Sequence, residues 1–298
     1  MNAPSPLPKT LPTPQAWRED PRKNVLLFGM SGLGKTYLAS MLRETRAWFH
    51  YSIDYRIGTR YMGEHIVDNF KHEAMLNPFL AELLLTDSIY IASNLTFHNL
   101  APLSTYLGKP GDAAKGGLGF EDYLRRQEQH RAGEIAALND MGRFIDRART
   151  LYGYPHFVCD TGGSLCEVVD PWDPNDKLLT YLAQNSLMVW IKGDAAHSAE
   201  LIQRFDADPK PMYYEPEFLH RTWRAFLEKT GAAPDQVDPN AFIRWAYTRA
   251  LDHRQPRYEA IARQWGLAIS ADAFQGVQNA EAFTEVIAQA LETVDKLP

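Results

Sequence analysis

Apolar residues along this chain recur in two rhythms. The first is a set of short, nearly unbroken runs: Asn24-Val25-Leu26-Leu27-Phe28, Phe49-His50-Tyr51-Ser52-Ile53, His156-Phe157-Val158-Cys159-Asp160, Leu187-Met188-Val189-Trp190-Ile191 and Leu267-Ala268-Ile269-Ser270. Runs of this length and composition predict buried strands. The second rhythm is helical. Leu38, Met41 and Leu42 share a face, as do Ile66, Val67, Phe70 and Ala74. Near the C-terminus Phe283, Val286, Ile287, Ala290, Leu291 and Val294 form a long stripe that reads as a core-facing surface. Further helices are predicted over 61–75, 120–138, 144–151, 176–184, 195–205, 218–230 and 241–251. Another is opened by Arg254-Gln255-Pro256-Arg257-Tyr258 and stopped at Gly266. Leu80 to Leu85 fits a helix or a strand equally well. Strands alternating with helices predict a mainly parallel sheet covered on both faces.

Composition narrows the class. The 298 residues are enough for one large domain or two small ones, with 45% hydrophobic and 23% charged residues. A net charge of −6 speaks against a nucleic-acid binder, which usually carries a basic footprint. No apolar run approaches the length of a membrane span, and residues 1 to 14 lack the apolar core of a signal segment. Cys159 and Cys166 form no disulfide framework and no zinc pattern, and the nine histidines are scattered. The expectation is a soluble cytoplasmic protein with reduced thiols and no membrane contact. Pro4, Pro6, Pro8, Pro12, Pro14 and Pro21 make residues 1–22 read as an extended N-terminal arm, disordered or laid along the surface.

The chemistry concentrates between the first strand and the first long helix. Gly29-Met30-Ser31-Gly32-Leu33-Gly34-Lys35-Thr36 is G-x4-G-K-T, and strand, glycine loop and helix is the setting in which that pattern binds phosphate. Glycines let backbone N–H groups wrap a phosphate, and the helix N-terminus adds partial positive charge. Lys35 reaches the β- and γ-phosphates and the Thr36 hydroxyl ligates Mg²⁺. Tyr37 follows directly, and the cradle as a whole takes in Gly29, Ser31, Gly32, Leu33, Gly34, Lys35, Thr36 and Tyr37. ATP with Mg²⁺ is the expected cofactor, and no metal beyond it.

Two more strand ends carry candidate groups. The second strand delivers Asp54, Arg56 and Arg60 into a loop, at the end of an α/β sheet where ligands bind. The alternative is a turn aspartate paired with a surface arginine. The third strand ends in Asp160-Thr161-Gly162-Gly163, an apolar strand closed by a carboxylate and glycines. This is the form of a Mg²⁺-directed strand whose glycines admit phosphate or acceptor.

In motif order the chain resembles the small-molecule kinases of the P-loop class, shikimate kinase most of all, with gluconate and nucleoside monophosphate kinases as related types. Ser52-Ile53-Asp54-Tyr55-Arg56-Ile57 is similar to the D-x-D-x-x-I of that family, with Ser52 in place of the first Asp. Thr161-Gly162-Gly163 corresponds to its T-G-G. Arg204 then Lys210-Pro211 correspond to a helix-ending Arg and a lid R-P. Arg254-Gln255-Pro256-Arg257-Tyr258 corresponds to R-x-P-x-Y. The resemblance covers about 150 residues and leaves out segments at about 76–140 and 205–250, which read as helical insertions in a single domain spanning 23–298. It implies a P-loop three-layer α/β sandwich with a five-stranded parallel sheet ordered 2-3-1-4-5. It also implies phosphoryl transfer from ATP to a hydroxyl of a small molecule, anionic in character, that is not shikimate. Lys35, Asp54 and Asp160 would be catalytic, and Thr36 and Asp160 would hold the metal. Asp54, Arg56, Arg60, Gly162, Gly163 and Arg254 would meet the acceptor, and Arg204 and Lys210 would close over the nucleotide. Ser52, Lys210 and Asp160 depart from the pattern: a lysine lacks the bidentate fork of arginine, and Asp160 stands where the family usually has a small residue, so its metal role is read from the strand itself and not from the resemblance. The other readings are an ATPase or nucleotide-dependent switch that moves the insertions against a protein partner, and a non-catalytic nucleotide-binding module.

Overall fold

The structure, a computed structural model, describes residues 11–294. Five strands, β1 (Asn24–Phe28), β2 (Trp48–Ser52), β3 (His156–Asp160), β4 (Leu187–Lys192) and β5 (Gly266–Ser270), pair in the order β2-β3-β1-β4-β5. Every pairing is parallel. This is the P-loop three-layer α/β fold with the sheet order 2-3-1-4-5. Val25–Phe28 of β1 and Leu187–Ile191 of β4 are apolar and buried without a break because both faces of the sheet are covered, as parallel sheets require. On the edge strand β5 only alternate residues, Leu267 and Ile269, are buried.

The chain divides into two compact units, residues 1–53, 138–208 and 247–298, and residues 54–137 with 209–246. The first holds the sheet. Its core joins Val25 and Leu27 of β1 and Val189 and Ile191 of β4 to Leu38 and Leu42 of the helix Lys35–Glu44. Phe283, Ile287 and Leu291 of the helix Ala280–Val294 complete it. The side chain of Val294, the last of the predicted stripe, lies outside the described residues.

Residues 1–10 of the proline-rich arm also lie outside the described residues. The part within them is not extended. Pro14–Glu19 is a helix capped by Thr13, whose hydroxyl accepts from Ala16 N at 3.2 Å. Proline at the first helical position has no N–H to lose. The helix is fixed by Trp17, 2% exposed, whose indole donates to Thr284 O at 3.0 Å. Burial of one aromatic outweighs the extended bias of the surrounding prolines.

The second unit is helical and has its own aromatic core. Phe120 and Trp223 stack at 4.6 Å, and Phe242 meets Trp223 edge-on at 4.8 Å. The ambiguous 80–85 run lies in the helix Pro78–Leu85, started by Asn77, whose side chain accepts from Phe79 N and Leu80 N. Residues 54–61 differ from the loop expected of them. A helical turn, Ile53–Arg56, passes into a π-helical turn, Ile57–Tyr61, closed by Met62 N donating to Ile57 O at 2.8 Å. Ile57 and Met62 are fully buried, and that burial draws the segment into a compact turn.

A third difference bears on function. Residues 241–251 and 254–265 are not two helices but one, Pro239–Trp265, with Pro256 in its interior. Pro256 lacks the N–H that would bond Asp252 O, so a helix start is the natural sequence reading. The contacts made by Arg254, Arg257 and Tyr258, described next, outweigh that local preference.

Candidate nucleotide site

The site in the first unit begins where β1 turns into the helix Lys35–Glu44. Gly29, Gly32 and Gly34 hold φ of +130°, +90° and +89°, the left-handed region that side chains disfavour. At Gly29 a Cβ would also stand 2.7 Å from Ile191 O. The loop folds around its lysine. Lys35 is buried, and its Nζ donates to Gly29 O at 2.8 Å and Met30 O at 2.9 Å. Ser31, Gly32, Thr36 and Tyr37 face outward, while Leu33 packs against the core. The first-turn N–H groups of a helix have no intrahelical partners, so this turn can receive an anion.

β3 brings up the carboxylate. Asp160 is in register with Leu27 of β1 and Ser52 of β2. It is buried, with His50 Nε2 3.7 Å from its Oδ2. Thr161 ties the strand end to β1, its N and Oγ1 both donating to Leu27 O, at 3.2 and 3.0 Å. Gly162 and Gly163 follow, buried, and then a 3₁₀ turn, Leu165–Glu167.

One face of the helix Pro239–Trp265 grips this turn. Arg254 Nη2 meets Glu167 Oε2 at 2.6 Å, with both side chains almost wholly buried. Arg257 Nε donates to Cys166 O at 2.8 Å. The Tyr258 hydroxyl donates to Gly163 O and lies 3.6 Å from Met30 Sδ, so one residue touches both the β3 turn and the P-loop. Residues 254, 257 and 258 fall at i, i+3 and i+4, which places them on one side of the helix. At Gly163 the turn, the loop and the helix come close together. A Cβ there would stand 2.7 Å from Ser31 Oγ, 3.2 Å from Ser31 N and 3.5 Å from Arg254 Nη1.

Burial opposes the charge on Arg254, yet the adjacent Glu167 carboxylate raises its pKa on balance, so it stays a guanidinium. Burial, with Glu167 beside it, pushes the Cys166 thiol up to about 12. Burial likewise raises Tyr258 well above its ordinary value, and burial with Asp160 does the same for Cys159.

The structure therefore brings together the P-loop, Asp160, Gly162, Gly163 and Arg254. Arg204 lies on the helix Ala195–Ala207, exposed and ion-paired with Glu200 one turn earlier. Leu201 of that helix fills the space beside Gly32. Asp54, Arg56, Arg60 and Lys210 belong to the second unit. There Asp54 is half-buried, Arg56 lies 5.5 Å from the Tyr61 ring centroid, and Arg60 and Lys210 are exposed. Arg254 is neither at a helix start nor on the surface. Sequence reading missed Glu167 and Tyr258. The available signal for Glu167 was a lone acid inside Leu165-Cys166-Glu167-Val168-Val169, a run too apolar to be solvated.

Among the described residues no cluster of three or more His, Cys, Asp or Glu side chains forms a metal cage. Thr36 and Asp160 offer a hydroxyl and a carboxylate, hard oxygen donors of the kind Mg²⁺ takes when phosphates and water complete its shell. No described helix is long and apolar enough to cross a membrane.

No family model and no curated protein matches the chain. Among solved structures it is similar to shikimate kinase from Bacteroides thetaiotaomicron, at 14% identity and a TM-score of 0.39, over 92% of this chain and 99% of that one. It is similar also to shikimate kinase from Acinetobacter baumannii in complex with shikimate, at 15% identity and a TM-score of 0.37, over 96% and 99%. Likeness of this degree says nothing about substrate. The fold is evident in the sheet order and the P-loop themselves.

Proposed function

We propose that the first unit binds ATP with Mg²⁺ on the P-loop and that the protein transfers the γ-phosphoryl group to a hydroxyl of a small molecule. The observation that carries this reading is the loop itself: three glycines at positive φ, Lys35 folded onto the Gly29 and Met30 carbonyls, and Asp160 in register beside β1. Phosphoryl transfer needs mainly positioning and charge neutralisation. In this reading the loop N–H groups and Lys35 hold the β- and γ-phosphates. Thr36 and Asp160 would hold Mg²⁺, which when bound neutralises phosphate charge. Asp54 orients the acceptor hydroxyl and takes its proton. Arg56 and Arg60 are the cations offered to an anionic group on the acceptor, and Arg204 and Lys210 those offered to the nucleotide. Gly162 and Gly163 leave room for close backbone approach.

Lys35→Ala tests the foundation. Lys35 bonds loop carbonyls and packs no apolar core, so the variant should fold, and ATP turnover should fall by at least about a hundredfold. Turnover at the wild-type rate in a folded variant removes this reading. The acceptor is identified by incubating the protein with Mg-ATP and a metabolite extract and reading the mass gain of one phosphate.

One observation favours the alternative, an ATPase or switch acting on a protein partner. The helix Pro78–Leu85 has no buried residue, and Leu76, Phe79 and Leu85 are exposed at 69%, 68% and 75%. Exposed apolar clusters of this kind mark interaction surfaces. Sustained ATP hydrolysis without any acceptor would favour that reading, and hydrolysis that waits for an acceptor the kinase.

A further inference from the structure

Sequence resemblance assigns Arg254 to the acceptor, yet the 163–167 turn that holds it packs against the phosphate loop. Lys35 Nζ rests on Gly29 O and Met30 O. A P-loop lysine reaches between the β- and γ-phosphates, so the residues at its tip mark the end of the cradle where the terminal phosphate sits. Ser31 is the next residue. The position a Gly163 side chain would fill lies 2.7 Å from Ser31 Oγ on one side and 3.5 Å from Arg254 Nη1 on the other. Glycine at 163 is what lets this turn come so near Ser31, while the guanidinium stands at an ordinary contact distance on its other side. Glu167 Oε2 holds the other amino group, Nη2, at 2.6 Å. Tyr258, one turn on, touches Gly163 O and Met30 Sδ, which fixes the helix face against both segments.

We propose that Arg254, oriented by Glu167, serves the terminal phosphate of the nucleotide from behind Gly163 and does not anchor the acceptor. The inference rests on the nucleotide-binding reading above. Buried charges are screened far less than exposed ones, so a guanidinium one glycine away still acts on a phosphate. With Nη2 held by Glu167, Nη1 is the group that lies toward Gly163, on the side where that glycine meets Ser31 of the loop. Glu167 is thus a positioning residue, and the arginine fork, not charge alone, is what it positions.

The signature of this role is dependence on the third phosphate. Calorimetry on the full chain with MgCl₂ compares ADP with the non-hydrolysable ATP analogue AMP-PNP. The wild type should bind the analogue more tightly. Arg254→Lys should lower that preference by roughly tenfold while leaving the ADP Kd within about threefold, because the loop and Lys35 are intact. Glu167→Gln should shift the same ratio in the same direction. An unchanged preference, or equal weakening of both nucleotides, overturns the proposal and leaves the pair a structural strut. Failure of the wild type to bind either nucleotide instead removes the nucleotide reading, and this inference with it. If the variants lose their melting transition, the wild type with ADP and beryllium fluoride decides in a crystal. Arg254 as the protein cation nearest the fluoride after Lys35 supports the proposal, and any other side chain in that place overturns it.

Discussion

Gly163→Ala is a perturbation whose size follows from three distances. The glycine carries no positive-φ constraint, so the effect is steric. An added Cβ meets Ser31 Oγ at 2.7 Å, Ser31 N at 3.2 Å and Arg254 Nη1 at 3.5 Å. Unstrained heavy-atom contacts lie near about 3.5 Å, so the first contact is short by most of an ångström and the second by a few tenths. Ser31 is exposed and its hydroxyl can rotate away at little cost. Its backbone nitrogen cannot move without moving the loop. The stability loss should therefore sit at the low end for overpacking, about 1 kcal/mol. Nucleotide affinity should suffer more, because a displaced Ser31 N–H forfeits a hydrogen bond to phosphate. That loss is about 1.5 kcal/mol, or roughly tenfold in Kd. Urea unfolding gives the first quantity and calorimetry with AMP-PNP and MgCl₂ the second. Ser31→Ala in the same chain should recover part of the stability and none of the affinity, since it removes Oγ and leaves the backbone contact. An AMP-PNP Kd equal to wild type in Gly163→Ala refutes the placement of Gly163 against the loop.

Three further outcomes are expected. Trp17→Ala should lower stability by about 3 kcal/mol or more, because a buried indole and its bond to Thr284 O are lost together; a midpoint shift typical of a surface site would detach the helix Pro14–Glu19 from the fold. Burial lowers His130 from 6.5 to about 4, with Glu134 Oε2 at 3.8 Å and the Tyr213 ring stacked on it. The unfolded chain then binds the extra proton first, so its contribution is full above about pH 6.5 and is lost as pH falls toward 4, by up to about 3 kcal/mol. His130→Gln should flatten unfolding midpoints across that window. Cys159 and Cys166 are buried with raised thiol pKa values, so iodoacetamide at pH 8 should label neither in the native protein and both in guanidinium, as read by mass.

The sheet was legible because its central strands are buried on both faces and therefore read as nearly unbroken apolar runs. The P-loop was legible because its glycines, lysine and threonine are contiguous. What escaped depends on contacts distant in sequence. Nothing local to Pro256 says that it sits inside a helix. That follows from Arg254, Arg257 and Tyr258 meeting the 163–167 turn some ninety residues earlier. Glu167 has meaning only beside Arg254. Trp17 turns a proline-rich stretch into a helix by meeting Thr284, at the other end of the chain. The turn 54–61 escaped because its compactness comes from burial of Ile57 and Met62, not from a capping pattern.

The helix Pro239–Trp265 passes into β5 with no intervening loop, and Gly266, the first strand residue, lies flush against the Met188 backbone of β4. The rotational phase of that helix is therefore geared to the sheet. Each residue advances a helix by about 100°. One residue inserted between Tyr258 and Trp265 leaves two ways out: β5 slips on β4 and exchanges its buried and exposed faces, or the Arg254 face swings a quarter turn off the 163–167 turn. Length in this stretch, more than composition, is what sequence drift can least alter.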